Sequence, residues 1–92
     1  MKIEFDPAKS EKNELERGLP FTRAKAFEFR TAIRVDDKRK EYGERRILAY
    51  GYIGHRLHVL CYKPVAGGIR VISLRKANKR EEKFYAEETQ KI

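Results

Sequence analysis

The sequence has no tryptophan, one methionine, one cysteine and two histidines in 92 residues. A lone Cys61 excludes an intrachain disulfide, and its place in an apolar run reads as a packed thiol in a reducing compartment. One cysteine and two histidines are too poor a donor set for a structural zinc site, so no metal and no cofactor is expected. Apolar runs are short as well. None approaches the ~20 residues that a membrane-spanning helix needs, and no secretory leader is visible, which makes the cytoplasm the expected location with no membrane partner.

Acidic residues are missing from one part of the chain. From Arg45 to Arg80 there is no Asp or Glu, while Arg45, Arg46, Arg56, Lys63, Arg70, Arg75, Lys76, Lys79 and Arg80 all fall there. The net charge is +8, from 22 basic and 14 acidic residues. Such an excess favours a polyanion or an acidic protein as partner. The hydrophobic share of 40% keeps the chain among folded domains. A chain this short forms one domain, residues 1–92, and buries roughly 60% of its unfolded surface. A site on a sheet face suits it better than a deep cofactor cavity.

The coarse pattern is α+β. Ile3 and Phe5 alternate with charges as in a short half-buried strand. Asp6 and Pro7 then open a helix over AKSEKNELER that stops at Gly18. Its apolar face is thin, Ala8 and Leu15 only, so it is mostly solvated. A second helix is expected over about 21–29, with Phe21, Ala24 and Phe27 on one face. TAIRV is a candidate short strand, and DDKRKEYGE reads as a mobile polar loop. An antiparallel meander follows. RILAYGYI places Leu48, Tyr50 and Tyr52 opposite Ile47, Ala49, Gly51 and Ile53. After a turn at Gly54-His55, RLHVLCYK places Leu57, Val59 and Cys61 opposite His58, Leu60 and Tyr62. PVAGG turns the chain into IRVISLR. A final helix has Asn78 and Glu81 at capping-box spacing, with Phe84 and Tyr85 on its contact face.

The stretch GIRVISLRKANKREEKFY runs from a strand straight into cations. Arg75 and Lys76 either mark a strand end or hold a phosphate. Arg70 faces away from Arg75 if the strand is regular, so the two share a site only if a bulge turns one of them round. Tyr62 is either a core tyrosine or a base-stacking one. His58 sits mid-sheet, where a packed or surface imidazole outweighs a catalytic one. Lys79, Arg80 and Lys83 lie among glutamates that could pair with them along the helix.

FDPAK with Asn13 and Gly18, then Phe21, Ala24 and Phe27, DKRKEYGERR, the Gly51–Arg56 turn region, Val59 and Tyr62, and IRVISLRKANKREEKFY resemble, in that order, the BrnT family. These are toxins of BrnT/BrnA type II toxin–antitoxin pairs, with a fold similar to the RelE-type ribonucleases. The chain departs from the family pattern at Glu16-Arg17, where a Lys-His pair is usual, at Thr22 and Arg23, at His58 and at Leu74. The resemblance implies a RelE-like fold: a short strand, two helices, a meander of three to four strands and a C-terminal helix. It also implies a metal-independent endoribonuclease that arrests translation and growth.

Cleavage of this kind needs a base for the 2′-hydroxyl, cations for the phosphoryl oxygens and an acid for the leaving 5′-oxygen. On this sequence the resemblance puts catalysis on Arg75, Lys76, Tyr62 and Arg70, and RNA contact on Arg45, Arg46, Arg80 and Tyr85. It further implies neutralisation by a BrnA-type antitoxin, a homodimeric toxin core within a heterotetramer, and operator DNA bound only through the antitoxin. A non-catalytic RNA- or protein-binding module is the alternative that composition alone leaves open. A DNA-binding regulator acting alone fits poorly, since the first helix is too charged and the second too short to read a major groove.

Overall fold

The computed structural model describes residues 1–91. Five strands form one sheet in the order β1-β5-β4-β3-β2. They are β1 Lys2–Glu4, β2 Ile33–Asp36, β3 Ile47–Ile53, β4 Arg56–Val65 and β5 Gly68–Lys76, with helices α1 Pro7–Arg17 and α2 Lys79–Thr89. β2 to β5 pair antiparallel as a meander, and β1 adds to β5 in parallel. The α+β class and the element order agree with the sequence pattern.

The two periodicities of β3 and β4 build two cores. Ile47, Ala49, Ile53, Leu60 and Tyr62 point to one face, where they pack with Leu19, Phe21, Ala24, Phe27, Ile69, Val71 and Leu74. Leu48, Tyr50, Leu57 and Val59 point to the other, where Ala77, just before α2, and Tyr85 of α2 pack on them. Leu60 and Leu74 are fully buried, each contributing about 1.5–3 kcal/mol on leaving water. The first face is the α1 face below, the second the α2 face.

The helix starts follow their signals. The Asp6 carboxylate accepts from the Ala8 N–H at 2.9 Å, and Gly18 ends α1 with φ 68°. α1 does not dock through its apolar residues, however. Leu15 is 80% exposed. Polar groups hold the helix instead. The Phe21 N–H donates to buried Ser10 Oγ at 2.8 Å, and Asn13 Nδ2 donates to the carbonyls of Leu19 and Leu74 at 2.7 and 2.8 Å.

The second helix is a 3-10 helix over Phe21–Ala26, shorter than expected. Its anchors Phe21, Ala24 and Phe27 recur every three residues, which matches the three-residue turn of a 3-10 helix better than the α period. At Phe27 the chain is already extended and bridges Ile53.

The polar segment after β2 is folded around one buried carboxylate. Asp37 accepts from Arg39 Nε and Nη2 at 2.8 and 2.7 Å, from the Arg39 N–H at 3.2 Å and from the Tyr42 hydroxyl at 3.1 Å. The Asp37 N–H in turn donates to the Arg46 carbonyl at 2.8 Å, which closes the segment onto the start of β3.

Candidate nucleic-acid interface

A single irregularity in β5 decides which cations share a face. Cys61 pairs with Ser73 but Tyr62 pairs with Val71, so Ile72 is an extra residue without a cross-strand partner. A bulge of this kind resets the alternation. Val71 and Leu74, three apart, both enter the α1-face core. Arg70, Ser73 and Arg75 therefore all lie on the α2 face, against the regular-strand expectation that separated Arg70 from Arg75.

The sheet register then lines up a row across four strands. Arg70 is opposite Lys63 in β4 and Glu4 in β1. Arg46 precedes Ile47, which pairs with Tyr62, and so falls opposite Lys63. α2 covers the far end of this face, where Phe84 packs on Tyr50 and Tyr85 on Tyr52. It leaves the row of Arg46, Lys63 and Arg70 open. A cleft of about 190 Å³ lies there, lined by Asp6, Lys9, Glu44, Arg46, Lys63, Arg70, Val71 and Ile72. Lys9 comes from the first turn of α1, which starts where β1 ends.

Carboxylates hold the cations in place. Arg46 Nε donates to Glu44 at 2.9 Å, Lys63 Nζ is 3.6 Å from the same carboxylate, and Arg70 is 3.8 Å from Glu4. The Arg46 guanidinium also lies 4.0 Å from the centre of the Tyr42 ring. Arg46 and Lys63 keep the Glu44 carboxyl below its ordinary range. At the α2 end of the strip, Glu81 grips Arg75 with two hydrogen bonds of 2.8 Å and at the same time accepts from the Asn78 N–H. That pairing raises the Arg75 pKa and lowers that of Glu81. Arg75 is thereby held in place, 37% exposed, on the same face of the sheet as Arg70.

Four expected site residues are placed away from this cluster. Tyr62 is 7% exposed and sits in the α1-face core, against Phe29. Lys76 follows Arg75 and so points to the α1 face, opposite His58 in register. Tyr85 is buried under α2 and donates its hydroxyl to the Thr31 carbonyl at 2.9 Å. Arg80 is exposed on the first turn of α2. Arg45 lies at the rim, paired with Asp36 at 3.1 Å. Arg46, Arg70 and Arg75 are on the open strip.

Sequence reasoning did not single out Lys9, Lys63, Glu44, Asp37 or Tyr42. The acid-free run from Arg45 to Arg80 contained the signal for Lys63. Asp37 and Glu44 were hidden in a segment read as solvated.

Two further titratable groups, His58 and Cys61, are buried in the sheet. His58 is 3% exposed and donates Nδ1–H to the Arg56 carbonyl at 2.8 Å, and burial lowers its pKa. Burial pushes the Cys61 thiol up. Among the described residues no three His, Cys, Asp or Glu side chains converge as metal ligands, and no helix is long and apolar enough to cross a membrane.

A cationic strip on one sheet face, with a small cleft lined by Lys9, Arg46, Lys63 and Arg70 beside two carboxylates, suits a phosphodiester substrate. A search of curated proteins and a search of solved structures each return no match. The family model described as "Ribonuclease toxin, BrnT, of type II toxin-antitoxin system" matches residues 5–81, which run from just after β1 to the first turn of α2 and hold every residue of the strip except Glu4. The chain belongs to the BrnT family of ribonuclease toxins.

Proposed function

We propose that this chain is a metal-independent endoribonuclease whose RNA phosphodiester lies in the cleft of Lys9, Arg46, Lys63 and Arg70. The observation that carries the reading is the convergence of those four cations, from α1 and three parts of the sheet, around about 190 Å³ of open cleft. Arg46 and Arg70 offer planar donor pairs to non-bridging phosphoryl oxygens, while Lys9 and Lys63 act as point charges. Arg75 at the other end of the strip holds a neighbouring phosphate of the same strand. Tyr42, beside Arg46, offers a ring for a base to stack on.

The same strip is the surface that a BrnA-type antitoxin covers, through an acidic segment that competes with RNA for the cations. Inhibition of translation and growth follows from loss of RNA. In this reading the toxin works in the cytoplasm, forms a homodimeric core in a heterotetramer, and meets operator DNA only through the antitoxin.

Induced expression tests the reading in cells. The wild type arrests growth and fragments total RNA, whereas an Arg46→Ala/Arg70→Ala variant, expressed to the same level, does neither. Arrest with intact RNA from the wild type would contradict the reading and favour a binding module.

A further inference from the structure

The cleft contains a proton acceptor as well as cations. Among the described residues its lining has no histidine and no tyrosine, and its carboxylates are Asp6 and Glu44. The histidines are elsewhere: His58 is buried on the α1 face, and His55 lies in the turn between β3 and β4. Asp6 is committed to α1, because its Oδ1 accepts the Ala8 N–H at the helix start. Glu44 has no backbone duty. Its Oε2 accepts from Arg46 Nε at 2.9 Å and its Oε1 lies 3.6 Å from Lys63 Nζ. We propose that Glu44 is the catalytic base of the cleft, taking the proton of the RNA 2′-hydroxyl. The inference rests on the ribonuclease reading above and adds the group that reading lacks.

The charged groups that face Glu44 across the cleft explain how it would work. They are Arg46 at the entry to β3, Lys63 on β4, Arg70 on β5, and Asp6 and Lys9 on α1. In the free protein Arg46 and Lys63 hold the Glu44 carboxyl below its ordinary range, so it is ionised. These two cations are also the phosphate's donors. A bound phosphodiester draws them away and sets its own negative charge beside Glu44. Both changes raise the proton affinity of the carboxylate. Substrate binding thus converts a salt-bridged glutamate into a working base at the moment the 2′-hydroxyl arrives.

The step balances without a further reactant. Glu44 takes the 2′-hydroxyl proton as the 2′-oxygen forms its bond to phosphorus, and the bond from phosphorus to the 5′-oxygen breaks. The 5′-oxygen takes a proton from solvent, and Glu44 returns its own to solvent. The products end in a 2′,3′-cyclic phosphate and a 5′-hydroxyl.

The test compares wild type, Glu44→Gln and Asp6→Asn on one RNA across a pH series, with circular dichroism to confirm each fold. Affinity for the same RNA carrying 2′-O-methyl groups is measured in parallel. The expected result is a 10²–10⁴-fold loss of kcat in Glu44→Gln. Its affinity for the 2′-O-methyl RNA is unchanged or tighter, since a competing negative charge is gone, and the acid limb of the wild-type kcat profile disappears. A merely structural Glu44 would, when replaced, weaken affinity or lower stability and leave that limb in place. Glu44→Gln cutting within threefold of wild type overturns the inference alone, as does an acid limb that vanishes in Asp6→Asn but survives in Glu44→Gln. Wild type that leaves the RNA whole overturns the ribonuclease reading and this inference with it.

Discussion

Asp37 has no solvent-exposed side-chain surface, yet Arg39 closes on it with two hydrogen bonds and the Tyr42 hydroxyl adds a third. The Arg39 hydrogen bonds hold its carboxyl well below the usual carboxylate range, against the opposing effect of burial. Asp37→Ala leaves those donors without their acceptor and should cost about 2 kcal/mol. In a domain of this size that is a fall in Tm of about 8–16 °C, readable by thermal melting at pH 7. The pH dependence has a definite sign. The folded pKa is depressed, so the stabilisation is present above the ordinary value of 3.8 and is lost as pH falls below it toward the lower folded value. Urea midpoints of the wild type should therefore drop more steeply below about pH 5 than those of Asp37→Asn. In the sequence nothing separates Asp37 from the solvated acids around it, because a run as polar as DDKRKEYGERR gives no burial signal. The tyrosines show the same limit. Tyr62 and Tyr85 have the composition of ligand-stacking residues, but packing assigns both to cores, and Tyr42 in the polar run is the one beside the cations.

At the element scale, alternation placed the residues of β3 and β4 on their faces, since each keeps one side to one core. β5 broke the rule at Ile72. An extra residue in a strand leaves no mark in a pattern as apolar as IRVISL, so the side on which Arg75 falls was not legible. The α1 register was legible from Asp6, Pro7 and Gly18, but its mode of docking was not, because Ser10 and Asn13 do the work that apolar residues usually do.

The C-terminal helix gives a clear test. Its capping box is complete, with Asn78 accepting from the Glu81 N–H and Glu81 accepting from the Asn78 N–H, each at 2.9 Å. Asn78→Ala should cost about 1 kcal/mol, a fall in Tm of about 4–8 °C. Because Glu81 also orients Arg75, the variant should weaken RNA binding as well, whereas a helix cap with no link to the site would change Tm alone. At the other end, a side chain at Gly68 would overlap the Lys2 carbonyl. Gly68→Ala is expected to detach β1, with loss of amide-exchange protection over residues 2–4.

Across the whole molecule, the excess of +8 is not spread evenly. The sheet register and the bulge collect Arg46, Lys63, Arg70 and Arg75 on one open strip, and α1 contributes Lys9. Composition favours a polyanionic partner but gives no sign of the cleft, which exists only once distant strands are paired. With about four phosphate contacts to single-stranded RNA, affinity should fall about 50-fold between 50 and 200 mM salt. Arg70→Ala should flatten that slope by about 0.7. The most direct measurement is cleavage of a defined RNA by the purified protein in EDTA, comparing wild type, Arg70→Ala and Lys76→Ala. The account predicts cutting to 2′,3′-cyclic phosphate ends by wild type, a loss of about 10²–10³ in kcat for Arg70→Ala, and near-wild-type cutting by Lys76→Ala, whose side chain lies on the opposite face. Full activity in Arg70→Ala with loss in Lys76→Ala would contradict it, placing the active site on the α1 face.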